Sequence, residues 1–240
     1  MPRETEILLD NKMSNMVKQT ELKKQEIIDE MVWNSMVDAS NIKVKINGGV
    51  VTLAGKVGSY REKKEADLSC WKVAGVHDVI NDIKVDLSKN TLKPSDDEME
   101  KRITNILLWD INLNSLKIKV SVDGGIVTIE GTVDVFWKLS YVIDRISGVT
   151  GILGIVNKLA VTPKKRVSDE IIAEDVMDAI DRSAVIFPGD IDVKVEDNVV
   201  TLYGTVANWG AWKRAFDAAA NTYGVIEVID NLKVTGASGG

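Results

Sequence analysis

Residues 49–57, GVVTLAGKV, recur with small changes as GIVTIEGTV at 125–133 and as NVVTLYGTV at 198–206. The glycine that precedes the last two residues of each copy lies at position 55, 131 or 204, so the copies are 76 and 73 residues apart. Internal repetition constrains architecture more than any other sequence feature, and a period of roughly 75 residues is long enough for a small domain. The sequence therefore predicts three tandem domains.

Each repeat carries the same pattern of predicted elements. In the first, apolar residues alternate with polar ones over 42–46 and again over 51–57, on either side of Asn47-Gly48-Gly49. Alternation around such a turn predicts a β-hairpin. An amphipathic helix and a final strand follow, and another helix precedes the hairpin, with Ser95 and Glu98 at capping-box spacing in the second copy. The unit is an α+β sandwich, helix–strand–strand–helix–strand, in which two helices cover one face of a three-stranded sheet.

The repeats are separated by short linkers at 88–94 and 162–167, which predict restricted motion between domains. The predicted organisation is an N-terminal extension (1–20), repeat 1 (21–87), repeat 2 (95–162), repeat 3 (168–235) and a flexible tail (236–240).

Ten glycines are expected to shape the backbone and not to bind a ligand: Gly48, Gly49, Gly55, Gly75, Gly124, Gly125, Gly131, Gly151, Gly204 and Gly224. The pairs at 48–49 and 124–125 lie between antiparallel strands, whereas phosphate-binding glycine loops lead from a strand into a helix. The glycines at 75, 151 and 224 are expected to end the second helix of their repeat. Those at 55, 131 and 204 are expected at a bulge or at a close approach of two backbones.

The hairpins GGVVTLAGKV, GGIVTIEGTV and NVVTLYGTV, with the repeat endings AGVHDVINDIKV, TGILGIVNKLAV and YGVIEVIDNLKV, resemble the BON domain of bacteria. The resemblance covers all but the extension, linkers and tail, and is strongest to triple-BON proteins without a signal peptide. It implies a non-enzymatic module of osmotic or envelope stress, linked to phospholipid surfaces and to protein assemblies. Trp33 and Trp109 resemble a tryptophan near the end of the first helix in those proteins. Repeat 3, with AIDRSAVIFPGDI, lacks it and carries a short insertion.

Residues that could perform chemistry are few. His77 is the only histidine, which excludes a His-rich metal site or a repeated His-based triad. Cys70, the only cysteine, falls on the apolar stripe of a predicted helix, as a buried filler would. The acidic pairs at 96–97 and 190/192 have no counterpart in the other repeats, so we expect a helix start and solvated surface, with a weak cation site as the alternative. We expect no enzyme, no cofactor and no metal.

Charge narrows the range of partners. The net charge is −6, and repeat 3 alone has 5 basic and 13 acidic residues, whereas repeat 1 has 10 and 11 and repeat 2 has 7 and 9. Nucleic acid is therefore excluded as a partner, because phosphate backbones attract clustered Lys and Arg. No apolar run is long enough for a membrane span, so we expect no integral membrane protein. Without a leader at the N-terminus, a cytoplasmic location is expected, with the periplasm as the alternative.

Aromatic residues beside lysines are the candidates for contact with a partner, because amphipathic rings next to cations suit interfaces. Tyr60, Phe136 and Trp209 align at the start of the second helix of each repeat. The candidate lipid or partner contacts are Tyr60, Lys63, Lys64, Phe136, Trp137, Lys138, Trp209, Trp212, Lys213, Trp33 and Trp109. The alternatives are purely structural: rings packed over the sheet edge, and tryptophans that plug the core at helix ends.

Three functions remain open. The first is a binding or assembly protein of osmotic or envelope stress that acts through domain surfaces and self-associates, with acidic repeat 3 facing near-neutral repeat 1. Its other partner would be a second protein, recognised at aromatic patches or hairpin edge strands. The second function is a module that binds phospholipid headgroups. The third, by looser analogy with other BON proteins, is a small-ligand or potassium binder.

Overall fold

The computed structural model describes residues 2–88, 94–113, 117–182 and 190–235, with side chains from residue 17 onward. The predicted tail (236–240), most of the linker at 88–94 and the repeat 3 insertion within 183–189 lie outside the described residues.

All three repeats have the predicted helix–strand–strand–helix–strand order, which confirms the α+β fold. Repeat 1 contains α1 (Pro2–Trp33), β1 (Ile42–Asn47), β2 (Val50–Val57), α2 (Tyr60–Trp71) and β3 (Asp78–Val85). Repeat 2 contains α3 (Asp96–Leu108), β4 (Ile118–Asp123), β5 (Ile126–Val133), α4 (Lys138–Ile146) and β6 (Gly154–Val161). Repeat 3 contains α5 (Asp169–Asp181), β7 (Ile191–Glu196), β8 (Val199–Val206), α6 (Trp209–Asn221) and β9 (Glu227–Val234). Helix α1 continues from the extension into repeat 1 without a break.

Each repeat has its own three-stranded sheet with the second strand in the middle. In repeat 1, β1 pairs antiparallel with β2, with Val44 opposite Leu53, and β3 pairs parallel with β2, with Asn81 opposite Leu53. A tight turn can join the antiparallel pair, whereas the parallel pair needs a longer crossover, which α2 supplies. The three sheets do not merge.

The core of each repeat lies between its sheet and its two helices. In repeat 1, Val51 and Leu53 of β2 pack against Ile27 of α1 and against Ala66 and Cys70 of α2. Period-2 alternation directs these strand residues to one face, and their neighbours in sequence form an outer face open to solvent. Both helices therefore cover the same face of the sheet, as predicted.

A close backbone approach explains the glycine near the end of each repeated phrase. Gly55 has a φ of +142°, and a Cβ there would collide with the carbonyl oxygen of Asn41, just before β1. The same approach recurs between Gly131 and Lys117 and between Gly204 and Asp190. Any side chain would force the first two strands of the repeat apart.

The glycines at 75, 151 and 224 do not end the second helices, so that expectation is wrong. Those helices end three to five residues earlier, and the glycines lie in the turn that leads to the last strand. The turn passes against the first helix of the same repeat or the residues just before it: a Cβ on Gly151 would collide with Met99 and come within 2.9 Å of Pro94. Glycine is needed here for close packing.

Acidic residues at helix starts hold the hairpin turns. The predicted capping box is present, with Ser95 Oγ accepting from Glu98 N (3.3 Å) and the Glu98 carboxylate accepting from Ser95 N (2.9 Å). Asp96 accepts hydrogen bonds from the backbone N–H groups of Gly124 (2.7 Å) and Gly125 (3.1 Å). Asp169 does the same for the turn of repeat 3, so the acidic pair at 96–97 has a counterpart at 169–170 and the expectation that it has none is wrong. These carboxylates therefore tie a helix to a hairpin.

Candidate functional site

Two bare tryptophans lie at equivalent ends of the first helices of repeats 1 and 2. Trp33 is 86% exposed and Trp109 is 83% exposed. Each is accompanied by other exposed apolar side chains, and we define tip 1 as Val32, Trp33 and Met36, and tip 2 as Leu108, Trp109 and Ile111. The alternative in which these tryptophans plug the core is therefore wrong.

Helix geometry explains the exposure of both rings. Met31 of α1 and Leu107 of α3 are the last buried residues of their helices. A residue two positions later lies about 200° further around an α-helix, on the side facing away from the core. Trp33 and Trp109 occupy that position. The spacing of two residues between the last buried apolar residue and the tryptophan is visible in the sequence, and it predicts that both rings are exposed.

A polar network anchors tip 2 to the body of repeat 2. Asp110 is buried, and its carboxylate accepts hydrogen bonds from Asn112 N (2.9 Å), Tyr141 Oη (3.0 Å) and Arg145 Nε (2.7 Å). Burial alone would raise the pKa of Asp110, but these donors outweigh it and hold the pKa below its usual range. The chain on both sides of Asp110 carries the tip, so Trp109 projects from a fixed support.

Tip 1 has a corresponding anchor with different chemistry. Asn34 takes the place of Asp110: its Oδ1 accepts from Met36 N (3.1 Å) and its Nδ2 donates to Glu65 Oε2 (3.1 Å). Glu65 lies on α2 at the position that Tyr141 has on α4. Both tips are thus tied to the second helix of their own repeat.

The aligned rings of Tyr60 and Phe136, at the starts of α2 and α4, lie at contacts between repeats, which we call seams, whereas at the start of α6 the contact is made by Trp212 and not by the aligned Trp209. At seam 1–2, Tyr60 of repeat 1 packs against the core of repeat 2. Lys64 Nζ lies 2.8 Å from Asp144 Oδ1, and the guanidinium of Arg61 approaches Gly148 after α4. Burial, followed by the negative charge of Asp67, raises the pKa of Tyr60.

Seam 2–3 combines rings with a main-chain hydrogen bond. Phe136 of repeat 2 packs against the core of repeat 3, with its ring 6.4 Å from that of Phe216 at an angle of 62°. Trp137 N donates to Ala220 O (3.2 Å). The linker also spans the seam, since Lys164 Nζ lies 3.1 Å from Asp134 Oδ2 and Lys165 N donates to Tyr223 Oη (2.7 Å).

Seam 3–1 is a stack of indoles. The ring of Trp212 in repeat 3 lies 6.4 Å from that of Trp71 in repeat 1, with only 10° between their planes. Within repeat 3, Trp212 also contacts Trp209 (6.3 Å) and Phe216 (5.5 Å). Rings from all three repeats therefore form one chain of contacts, since Phe136 reaches the same Phe216.

The seams close a circuit. In each seam, residues at the start of the second helix of one repeat contact residues near the end of the second helix of the next repeat. Repeat 3 contacts repeat 1 in the same way, which completes the circuit. These are contacts between unlike surfaces, and such contacts generate closed rings when the rotation between units allows it. Tyr60 and Phe136 are partly buried in these contacts between repeats and do not form an exposed patch.

The candidate lysines already have acidic or polar partners. Lys64 pairs with Asp144 across seam 1–2. Lys138 Nζ lies 2.8 Å from Asp134, and Lys213 Nζ lies 2.7 Å from Asp217, one turn along α6. The positive charge of Lys63 acts on Asp67, where it opposes the rise in pKa that burial causes. The tips are thus the candidate contacts that are most exposed.

Sequence comparison assigns the fold to a family. The profile of the BON domain matches residues 22–86, 95–163 and 168–236. The chain belongs to the BON domain family. A relative from Anaplasma centrale, named "Uncharacterized protein in gshII 5'region", is 28% identical over 122 residues, which cover 49% of this chain and 81% of the relative.

Solved structures resemble the three-BON chain only weakly. CdsD, described as a structural protein of the type III secretion system of Chlamydia trachomatis, is 13% identical, with 88% of this chain and 90% of that chain covered and a TM-score of 0.25. The periplasmic domain of the inner membrane protein PrgH from S. typhimurium is 10% identical, with 85% and 98% covered and a TM-score of 0.22.

The chemically reactive side chains of the described residues lie in structural surroundings. Within the described side chains, no group of three or more His, Cys, Asp or Glu residues could hold a metal ion. Cys70 is fully buried, and burial raises the pKa of its thiol to about 12. His77 Nε2 lies 2.7 Å from Gly48 O, against the hairpin turn of repeat 1. No helix in the described part combines the length and hydrophobicity needed to cross a bilayer.

Proposed function

We propose that this BON protein is a non-enzymatic binding and assembly protein, of the osmotic or envelope-stress type, that acts through exposed domain surfaces. The observation that carries the proposal is the exposure of Trp33 and Trp109 at equivalent positions of repeats 1 and 2. A tryptophan buries about 150–250 Å² when covered, and tryptophans are enriched among the residues that dominate binding energy. Two solvent-exposed tryptophans at equivalent positions of two repeats are suited to contact a partner.

Anchoring supports a binding role for the tips. The hydrogen bonds of Asp110 and Asn34 hold the turns that carry Met36 and Ile111, so the apolar surface is ordered before a partner arrives. Preorganisation lowers the entropy lost on binding. The circuit of seams further limits how far repeats 1 and 2 move relative to each other.

A phospholipid surface is the second candidate function, and a groove beside tip 2 favours it. Lys101, Arg102 and Arg145 line this groove together with Ile106 and Trp109. Tryptophan and long cationic side chains next to apolar residues suit the boundary between headgroups and acyl chains. The acidic charge of repeat 3 opposes binding to anionic lipid, so contact would be made by the tips of repeats 1 and 2.

The experiment compares wild type with the double variant Trp33→Ala, Trp109→Ala. Light scattering at several salt concentrations measures self-association, and co-sedimentation with vesicles of anionic phospholipid at low salt measures lipid binding. We expect the double variant to lose at least tenfold in one of the two. The matched control is Ile171→Ala with Met177→Ala, which removes exposed apolar side chains from α5 of repeat 3.

The outcomes separate the candidates. Loss of vesicle binding with unchanged self-association assigns the tips to lipid, whereas the reverse assigns them to protein assembly. Equal behaviour of the double variant and wild type in both assays would contradict the proposal.

A further inference from the structure

Seam 3–1 joins repeats that are not neighbours along the chain. Seams 1–2 and 2–3 connect repeats that a linker already holds together, and they carry an ion pair and a main-chain hydrogen bond. Seam 3–1 depends on the stacked indoles of Trp71 and Trp212. Because no linker joins these two surfaces directly, the same contact can form between two copies of the chain once seam 1–2 or seam 2–3 opens as well, so that repeat 1 of the same chain leaves its place beside repeat 3.

Contacts between unlike surfaces either close within one molecule or continue from copy to copy. We propose that copies of this protein assemble head to tail by exchange of seam 3–1, so that Trp212 of one copy stacks on Trp71 of another. This inference goes beyond the tips proposed above, because it concerns a different surface, and its partner is a second copy of the chain. Repeat 1 of each copy accepts repeat 3 of the next.

The surface uncovered by opening the seam requires such a partner. Opening exposes the face of Trp71 on one side and that of Trp212 on the other, and Trp212 lies beside Trp209 within repeat 3. Contiguous aromatic surface of this kind is rare on proteins that stay monomeric. Within the chain, repeat 1 covers it, and in an assembly the equivalent repeat 1 of another copy makes the same contact.

Charge and ring placement specify which repeats pair. Repeat 3 has a net charge of −8, so two copies of repeat 3 repel each other, whereas repeat 1, with 10 basic and 11 acidic residues, is nearly neutral. Trp71 is the last residue of α2. The equivalent residue is Ser147, just after α4, in repeat 2 and Ala220, in α6, in repeat 3. Repeat 1 alone therefore presents an indole there for Trp212 to stack on.

Mass action determines when exchange occurs. Tethered surfaces meet at effective concentrations in the millimolar range when linkers are short. The closed monomer should therefore prevail in dilute solution, and exchanged dimers and longer chains should increase as the protein concentration approaches that range.

The test uses two full-length variants that are each deficient on one side of the seam. Trp71→Ala removes the acceptor surface of repeat 1, and Trp212→Ala removes the surface of repeat 3. Neither variant can form the indole stack with itself, but a 1:1 mixture restores one intact contact between unlike chains. Sedimentation equilibrium up to millimolar concentration should give the mass of one chain for each variant alone and a rise toward twice that mass in the mixture.

Two further measurements keep the result unambiguous. Trp71→Leu and Trp212→Leu, which retain an apolar side chain against their own repeat, replace any alanine variant that does not fold. The mixture is also measured in the Trp33→Ala, Trp109→Ala background, where heterodimers that persist support seam exchange. Heterodimers lost in that background would assign association to the tips and overturn the exchange. A mixture that behaves as two monomers would also overturn it, and the vesicle and scattering results for the tips would stand.

Discussion

Replacement of Trp212 by alanine probes the contact between repeats 3 and 1 at its centre. The indole stacks on Trp71 across the seam and on Phe216 within repeat 3. Truncation of a fully buried tryptophan costs about 3–5 kcal/mol. We therefore expect the loss of this half-buried ring to lower the free energy of unfolding by about 2 kcal/mol. The stack on Trp71 should account for about 1 kcal/mol of that, since aromatic pairs contribute about 0.5–1.5 kcal/mol beyond the area that they bury.

Cys70 provides a local assay for repeat 1. It is the only cysteine, and its thiol is fully buried next to Trp71 in sequence. In the folded repeat, burial blocks the reagent and raises the pKa of the thiol to about 12, whereas an opened repeat exposes an ordinary thiol with a pKa of about 8.5. A loss of about 1 kcal/mol in the opening free energy of repeat 1 should accelerate thiol labelling about fivefold.

The matched control is Tyr203→Ala, which lies in repeat 3 like Trp212. Tyr203 is 43% exposed on the outer face of the sheet, so its removal should leave the labelling of Cys70 unchanged. A double-mutant cycle of Trp71→Ala and Trp212→Ala, measured by urea unfolding, should give a coupling of about 1 kcal/mol. A Trp212→Ala chain that labels at the wild-type rate, together with a coupling near zero, would refute the contact.

Other consequences concern the hairpin, the anchor and the tips. Gly55→Ala should cost about 2 kcal/mol or more in urea unfolding, because its φ is +142° and a Cβ would strike a carbonyl oxygen, whereas Gly58→Ala should be nearly neutral. Since the folded pKa of Asp110 is lowered, its stabilising contribution is complete above the unfolded pKa of about 3.9 and is lost as the pH falls through the folded value. Asp110→Asn should therefore show a shallower loss of stability in acid. The double variant Trp33→Ala, Trp109→Ala should have a free energy of unfolding within about 0.5 kcal/mol of wild type, because both rings are exposed.

The fold of each repeat could be predicted because its determinants are local. Val51 and Leu53 alternate with polar neighbours, and only a strand with one buried face needs that period. The capping box at Ser95 marked the start of α3 correctly for the same reason, since it depends on residues three apart. The glycine at 151 was misassigned because its requirement comes from Met99 and Pro94, which are distant in sequence and close only after folding.

The seams could be located only in part. Alignment brought Tyr60, Phe136 and Trp209 together as equivalent residues, but where their rings point depends on how the repeats are arranged. No local periodicity encodes that arrangement. Trp71 was missed altogether, because Ser147 and Ala220 stand at its position in the other repeats and internal comparison draws attention to what recurs. Residues unique to one repeat at an otherwise repeated position are the better signal for a contact between repeats.

Three copies of one fold must avoid pairing in the wrong order, and the differences between the seams provide the discrimination. Lys64 forms an ion pair with Asp144 across seam 1–2. The equivalent residue of repeat 2 is Ser140, which cannot form an ion pair. Trp212 needs a ring opposite it, and at the equivalent of Trp71 a wrong neighbour presents only a hydroxymethyl or methyl group. Mispairing would leave a charge without its partner or an indole without its stack, and specificity of this kind depends on penalties as well as attractions. The repeated residues thus maintain the fold of each domain, and the residues that differ between repeats determine which domain contacts which.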